Sequence, residues 1–285
     1  MLVENTLFGV RNKIQIAIDR IRQFEPPEGY YVAFSGGKDS IVVLDLLKRA
    51  GVKYDAHYNL TTVDPPELVQ FIRETYKVKG RKVRYRQRLR AAKLTGNKLP
   101  RHWLEIKVHR PRRTMWELIA HKGFPPTRKI RYCCAEVKES GGKGRVVVTG
   151  VRWAESVRRS KRKMVEQCYN DNSKRYFHPI IDWSNEDVWE YIELRKLPYC
   201  SLYDEGQKRI GCVMCPMGNT VGMLEDAKRW PKIAQAYINA FEKACKRNRE
   251  RGRESGQANG KEMFDWWVSG KAETKENPDQ TVMFE

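Results

Sequence analysis

No apolar run among the 285 residues approaches the roughly 20 residues that a membrane-spanning helix needs. The N-terminus, Met1-Leu2-Val3-Glu4-Asn5, lacks the charged and apolar zones of a signal peptide, so a cytoplasmic protein is expected. There is no internal repeat, so a repeat architecture is not expected. Acidic residues are scarce: 35 Asp and Glu face 55 Lys and Arg, for a formal charge of +20. So little counter-charge argues for a polyanionic partner or a phosphate-rich substrate. Seven cysteines without an export signal should be reduced thiols, which sets a disulfide framework aside and turns attention to metal or sulfur chemistry.

The positive charge is clustered. Lys79 to Arg90 and Arg158 to Lys163 are dense basic runs, with Tyr76, Tyr85, Trp103 and Trp153 interleaved. Aromatic rings among cations favour nucleic acid over a merely solvated face. A hydrophobic share of 40% is enough for a buried core.

Val10, Ile14, Ala17, Ile18 and Ile21 recur at helical spacing until Pro26-Pro27, predicting an N-terminal helix within 1–27. Tyr30 to Phe34 reads as a strand, Ile41 to Leu47 as an apolar helix, Tyr54 to Leu60 as a second strand, and Asp64-Pro65-Pro66-Glu67 as the start of another helix. This β-α-β-α order predicts a parallel sheet with right-handed crossovers. Arg81 to Tyr85, Val146 to Val148 and Phe177 to Ile181 are further strand candidates; Thr114 to His121 and the segment after Ser184 are further helices. Ile233, Tyr237, Phe241 and Cys245 form the stripe of a late helix, Arg251 to Gly260 reads as a linker, and the last fifteen residues should trail off. The expected organisation is an α/β domain over 28–220 and a C-terminal helical extension over 221–285.

Between the first strand and its helix stands Ser35-Gly36-Gly37-Lys38-Asp39-Ser40. A Gly-Gly pair alone is satisfied by a tight turn. The full string offers backbone N–H groups, two hydroxyls and a cation at a helix N-terminus, the makings of an anion site. It does not have Walker spacing. Cys212-Val213-Met214-Cys215 has metal-knuckle spacing and Cys133-Cys134 is an adjacent pair. Four such thiolates suit zinc or an iron–sulfur cluster, and a redox dithiol is a third alternative.

The string Ser35 to Ser40 resembles the PP-loop ATP pyrophosphatases, which cleave ATP between its α and β phosphates. A second likeness runs from about residue 28 to 218. Arg131-Tyr132-Cys133-Cys134, Gly150-Val151-Arg152 with Glu155-Ser156 and Arg158, Pro179-Ile180, Trp183, Asp187-Val188-Trp189, Leu197-Pro198-Tyr199 and Gly211 to Pro216 are similar to the PAPS/APS reductase superfamily. That resemblance implies a parallel-sheet, Rossmann-like domain of the HUP type, the adenine nucleotide alpha hydrolase fold. It also implies a 4Fe-4S cluster held by Cys133, Cys134, Cys212 and Cys215.

One departure bears on the chemistry. Reductases of this superfamily end in a Glu-Cys-Gly-X-His type motif, whereas here no cysteine follows Cys245, which itself reads as core filler. The chain is closest in character to the iron–sulfur sulfur-transfer enzymes of DNA phosphorothioation. The resemblance then implies ATP with Mg2+, a nucleic acid acceptor (DNA or RNA), and a sulfur-donor protein such as a cysteine desulfurase. Ser35, Gly36, Gly37 and Ser40 would lie on the phosphates, with Lys38 as a point charge and Gly150 as a further nucleotide-binding residue. Asp39 and Asp64 would hold magnesium, and Arg152 and Arg158 would stabilise charge at the α phosphate. Arg159 has the same two readings as Arg158, phosphate contact or solvated face, and Glu155 is either an arginine partner or a base. Two rivals remain: a sulfonucleotide reductase working through Cys168 or Cys200, and a basic nucleic-acid-binding subunit with a vestigial nucleotide site.

Overall fold

The start of the expected N-terminal helix is a pair of antiparallel strands instead. In the computed structural model, which describes residues 1–6, 9–78, 105–139, 141–169, 171–253 and 256–270, β1 (Val3–Thr6) pairs antiparallel with β2 (Gly9–Asn12). Only then does α1 (Lys13–Gln23) begin. The cause is local: the Asn12 side chain accepts hydrogen bonds from the Ile14 and Gln15 N–H groups and so fixes the helix start. Ile14, Ala17, Ile18 and Ile21 remain its buried face, as the spacing predicts. The basic strand expected at Arg81 to Tyr85, the whole Lys79 to Arg90 run and the last fifteen residues lie outside the described residues.

The expected alternation follows as β3 (Tyr30–Ala33), α2 (Lys38–Ala50), β4 (Tyr54–Asn59) and α3 (Pro66–Thr75). β5 (Lys77–Val78), β6 (Glu105–His109), β7 (Val146–Val148), β8 (Val165–Cys168) and β9 (Asp171–Phe177) complete a sheet of order β5-β6-β4-β3-β7-β9-β8 among the described residues. Every pairing is parallel except that of the edge strand β8 with β9. The α/β class with a mostly parallel sheet is therefore as the sequence predicts. The strand expected over Phe177 to Ile181 is displaced upstream: Phe177 ends β9 opposite Val148, and the chain then turns.

Two compact units emerge, and they do not follow the linear division expected at residue 220. The first is drawn from Met1–Asn59, Pro66–His109 and Gly141–Ile210 and holds the sheet; the second is drawn from Leu60–Pro65, Arg110–Ser140 and Gly211–Glu285. In the sheet unit, α2 carries a nearly unbroken buried run from Ile41 to Leu47. α5 (Asn185–Arg195) packs on α2, started by a capping box between Ser184 and Asp187.

The second unit is helical. α4 (Met115–Lys122) starts at a Thr114 and Glu117 capping box, close to the predicted helix. α6 (Thr220–Arg229), α7 (Pro231–Glu250) and α8 (Gly260–Val268) follow. Tyr237, Phe241, Ala244 and Cys245 of α7 pack with Met263, Phe264 and Trp267 of α8 in one core. Cys245 is fully buried there, as expected of filler.

Candidate functional site

The Ser35 to Ser40 turn is built by its own hydroxyls. Ser40 Oγ donates to the Gly37 carbonyl at 2.8 Å and accepts from the Ser35 N–H at 3.3 Å, and the two serine hydroxyls are 3.2 Å apart. Gly36 stands at φ +76°, and a Cβ there would come within 2.7 Å of Ile72 Cδ1 and 2.9 Å of Leu68 Cδ1. Only glycine satisfies both the left-handed backbone and that close approach of α3. Gly37 then caps α2 with no side-chain hydrogen bond, so the helix opens bare N–H groups and its positive dipole end toward the turn. The Lys38 N–H is an exception, donating to the Tyr203 hydroxyl at 3.0 Å.

Lys38 and Asp39 are paired, the lysine buried and the aspartate half-buried. Lys38 is 5% exposed, and its Nζ lies 3.2 Å from Asp39 Oδ2. The other oxygen, Oδ1, accepts from Arg152 Nε at 2.7 Å. Arg152 is fully buried and turns its remaining nitrogens to protein: Nη1 donates to the Trp183 carbonyl at 3.2 Å and Nη2 to Asn185 Oδ1 at 2.8 Å. This places Arg152 beneath the loop as a clamp on Asp39. Asp39 in turn bridges two cations.

Gly150, at the C-terminal end of β7, is where the sheet meets the first turn of α2. A Cβ at 150 would lie 2.8 Å from Asp39 Cβ and 2.9 Å from the Asp39 carbonyl carbon. Gly150→Ala is therefore expected to destabilise the protein by about 1–3 kcal/mol through overpacking. A urea midpoint equal to that of the parent would show that this turn of α2 is free to shift.

Beyond Gly150 the basic segment divides by partner. Glu155 accepts the Arg152 N–H at 2.9 Å and pairs with Arg159, and Glu166 pairs with Arg162. Glu155 thus has the arginine-partner role of its two expected readings. Arg158 is exposed.

The second group of expected site residues belongs to the helical unit. Cys133 and Cys134 open a π-helical turn, Cys134–Lys138, a wide turn often found at functional sites. Val213 N–H donates to the Val63 carbonyl at 2.8 Å, and Met214 holds φ +55° with its N–H on Asp226 Oδ2 at 2.7 Å. Those two bonds fix the Cys212 to Cys215 knuckle. Cys212 Sγ lies 3.6 Å from Thr61 Oγ1, and Asp64 Oδ2 accepts the Thr61 N–H at 2.7 Å. Asp64 is thus part of the knuckle's surroundings.

The thiols act on one another. The hydrogen bond from Cys133 favours the Cys134 thiolate, which Arg131 Nη2 at 3.4 Å stabilises further. Its partner Cys133 is pushed upward by that same bond, by burial, and by the charges of Cys134, Cys212 and Cys215. Burial also raises Cys212. Desolvation at the ammonium end of Lys138 opposes its charge, but Cys212 and Asp64 outweigh it and raise the pKa. Four thiols with two cations beside them are the donor chemistry that iron–sulfur or soft-metal ligation uses. Among the described residues, however, no three His, Cys, Asp or Glu are gathered as a metal-holding group.

Tyr203, Asn185, Thr61 and Lys138 are the contributors that sequence reasoning misses. Each acts through a contact with a residue distant in the chain, and none carries a local motif.

The phosphoadenosine phosphosulfate reductase domain family matches residues 29–218. An uncharacterized protein of Methanocaldococcus jannaschii is 30% identical over 223 residues, covering 74% of this chain and 41% of that one. An adenosine 5'-phosphosulfate reductase of Oceanobacillus iheyensis is 30% identical over 133 residues, 45% of this chain and 55% of its own. Among solved structures, the phosphoadenylyl-sulfate reductase of Candida auris, in a phosphate complex, aligns at 18% identity and a TM-score of 0.47, covering 69% of this chain and 87% of that one. The chain spans about half the length of these curated relatives.

Proposed function

The chain belongs to the phosphoadenosine phosphosulfate reductase domain family, whose members are nucleotide-utilising enzymes, and we propose that it is an iron–sulfur ATP pyrophosphatase. In this reading it adenylylates an acceptor so that sulfur can replace oxygen, with nucleic acid, DNA foremost, as the acceptor. The observation that carries the reading is the Ser35 to Ser40 turn. A left-handed Gly36, a helix N-terminus that its cap residue Gly37 leaves without a side-chain hydrogen bond, and a desolvated Lys38 adjoin the turn in which a pyrophosphate would sit.

The β and γ phosphates would rest on the N–H groups and hydroxyls of Ser35, Gly36, Gly37 and Ser40. Lys38 would leave Asp39 for the phosphates, and the buried Arg152 would keep Asp39 from following it. Magnesium arriving with ATP would find Asp39 Oδ2, because Oδ1 is committed to Arg152. Arg158 is the exposed cation proposed for charge at the α phosphate. Cys133, Cys134, Cys212 and Cys215 would hold the 4Fe-4S cluster. With four thiolates on its irons, such a cluster supplies a fixed charged centre rather than an open iron for sulfide. The formal charge of +20 supports the polyanionic acceptor, and a cysteine desulfurase is the proposed sulfur source.

Anaerobic purification should give a brown protein with about four irons and four sulfides per chain, lost in Cys212→Ser. A colourless protein carrying one zinc would overturn the cluster. The decisive assay is pyrophosphate release from ATP, with and without DNA or tRNA. A second reading, adenylylsulfate reduction, is favoured by relatives that carry that name. Thiol-dependent sulfite release from adenylylsulfate, without pyrophosphate release from ATP, would decide for it.

A further inference from the structure

Parallel sheets are normally apolar on both faces, yet one face of this sheet carries a line of titratable groups. The register aligns Tyr31 with Asp55 and His57 with Lys107, so Tyr31, Asp55, His57, Lys107 and His109 share that face. Asp55 Oδ1 accepts from Arg145 Nη2 at 2.7 Å, and Oδ2 accepts from Lys107 Nζ at 3.0 Å and meets His57 Nε2 at 2.5 Å. His57 Nδ1 is 2.6 Å from His109 Nε2. Tyr31 stacks on the His57 ring with centroids 3.8 Å apart. His57 is buried, whereas His109 is exposed at the C-terminal end of β6.

The direction of each proton follows from chemistry. Burial works to raise the Asp55 carboxyl, but Arg145, Lys107 and His57 outweigh it and hold it well below the usual carboxylate range. An ionised carboxylate only accepts, so His57 Nε2 carries the hydrogen. Burial, with His109 and Lys107 beside it, lowers the His57 pKa against the pull of Asp55 and favours the neutral ring. Neutral His57 then presents Nδ1 as a lone pair, and His109 must donate its Nε2–H to it. That leaves His109 Nδ1 as a lone pair, with no hydrogen-bond partner among the described residues.

We propose that Asp55, His57 and His109 form a proton relay that presents the Nδ1 of His109 as a base at the strand ends, for a hydroxyl or thiol donor on a ligand. The donor loses its proton to His109 Nδ1 and becomes an anion. His109 passes its Nε2 proton to His57 Nδ1, and the imidazolium so formed on His57 lies against the Asp55 carboxylate. Lys107 and Arg145 fix Asp55 and stand ready to offset the anion.

Imidazole nitrogen NMR on the intact protein reads the relay directly. The expected result is Nε2–H on both His57 and His109 as neutral rings. A hydrogen on His57 Nδ1 would reverse the relay and overturn the proposal. In His57→Phe, which keeps a ring against Tyr31, acylation of His109 by diethylpyrocarbonate should slow several-fold relative to His121 in the same molecule. An unchanged ratio would equally overturn it.

Discussion

Lys38→Ala should lower pyrophosphate release from ATP by about 100- to 1,000-fold, the usual consequence of removing one preorganised group that neutralises charge in a dry site. The side chain is 5% exposed and its partner is Asp39, so its charge is held a single ion pair away from the turn where phosphate would sit. Folding should survive, because Asp39 keeps the 2.7 Å bond to Arg152, and the Lys38 N–H on Tyr203 is backbone. The measurement is single-turnover pyrophosphate release at saturating ATP, beside a urea titration. Unchanged turnover would remove the loop from the chemistry.

Arg152→Met makes the opposite separation, between stability and chemistry. Its guanidinium is fully buried on Asp39, the Trp183 carbonyl and Asn185, and methionine fills the volume without satisfying any of them. Breaking one side of a buried pair typically costs about 3–5 kcal/mol. The loss should appear as a large drop in the urea midpoint, with ATP absent. A loss below about 1 kcal/mol would mean that the arginine is held loosely enough to reach a phosphate, as its motif position first suggests.

The contrast between these two residues marks how far the sequence reaches. The strand at Tyr30, the turn at Gly36 and the helix from Lys38 are legible because an apolar run, a small-residue turn and a second apolar run follow one another locally. Arg152 is legible as a motif member but not as buried, since Trp183 and Asn185 approach it only in the fold. Likewise, Val10 continues the helical spacing of Ile14 and Ile18, and the Asn12 cap overrides it. At Phe177 the apolar run points downstream, but the register opposite Val148 places the strand in the polar residues before it. The cysteines show the same limit. Sequence spacing exhibits a knuckle and a pair, while Val63, Thr61 and Asp226, which hold the knuckle, come from separate parts of the chain.

The helical unit draws on Leu60–Pro65, Arg110–Ser140 and Gly211–Glu285, so the chain leaves it and returns more than once. Its assembly is thereby tied to the direction of protein synthesis. Cys133 and Cys134 emerge from the ribosome well before Cys212, and at roughly 5–20 residues per second the gap lasts about 4–16 s. For that interval the first two thiols wait without their knuckle, and neither unit can be produced by simply cutting the chain in two.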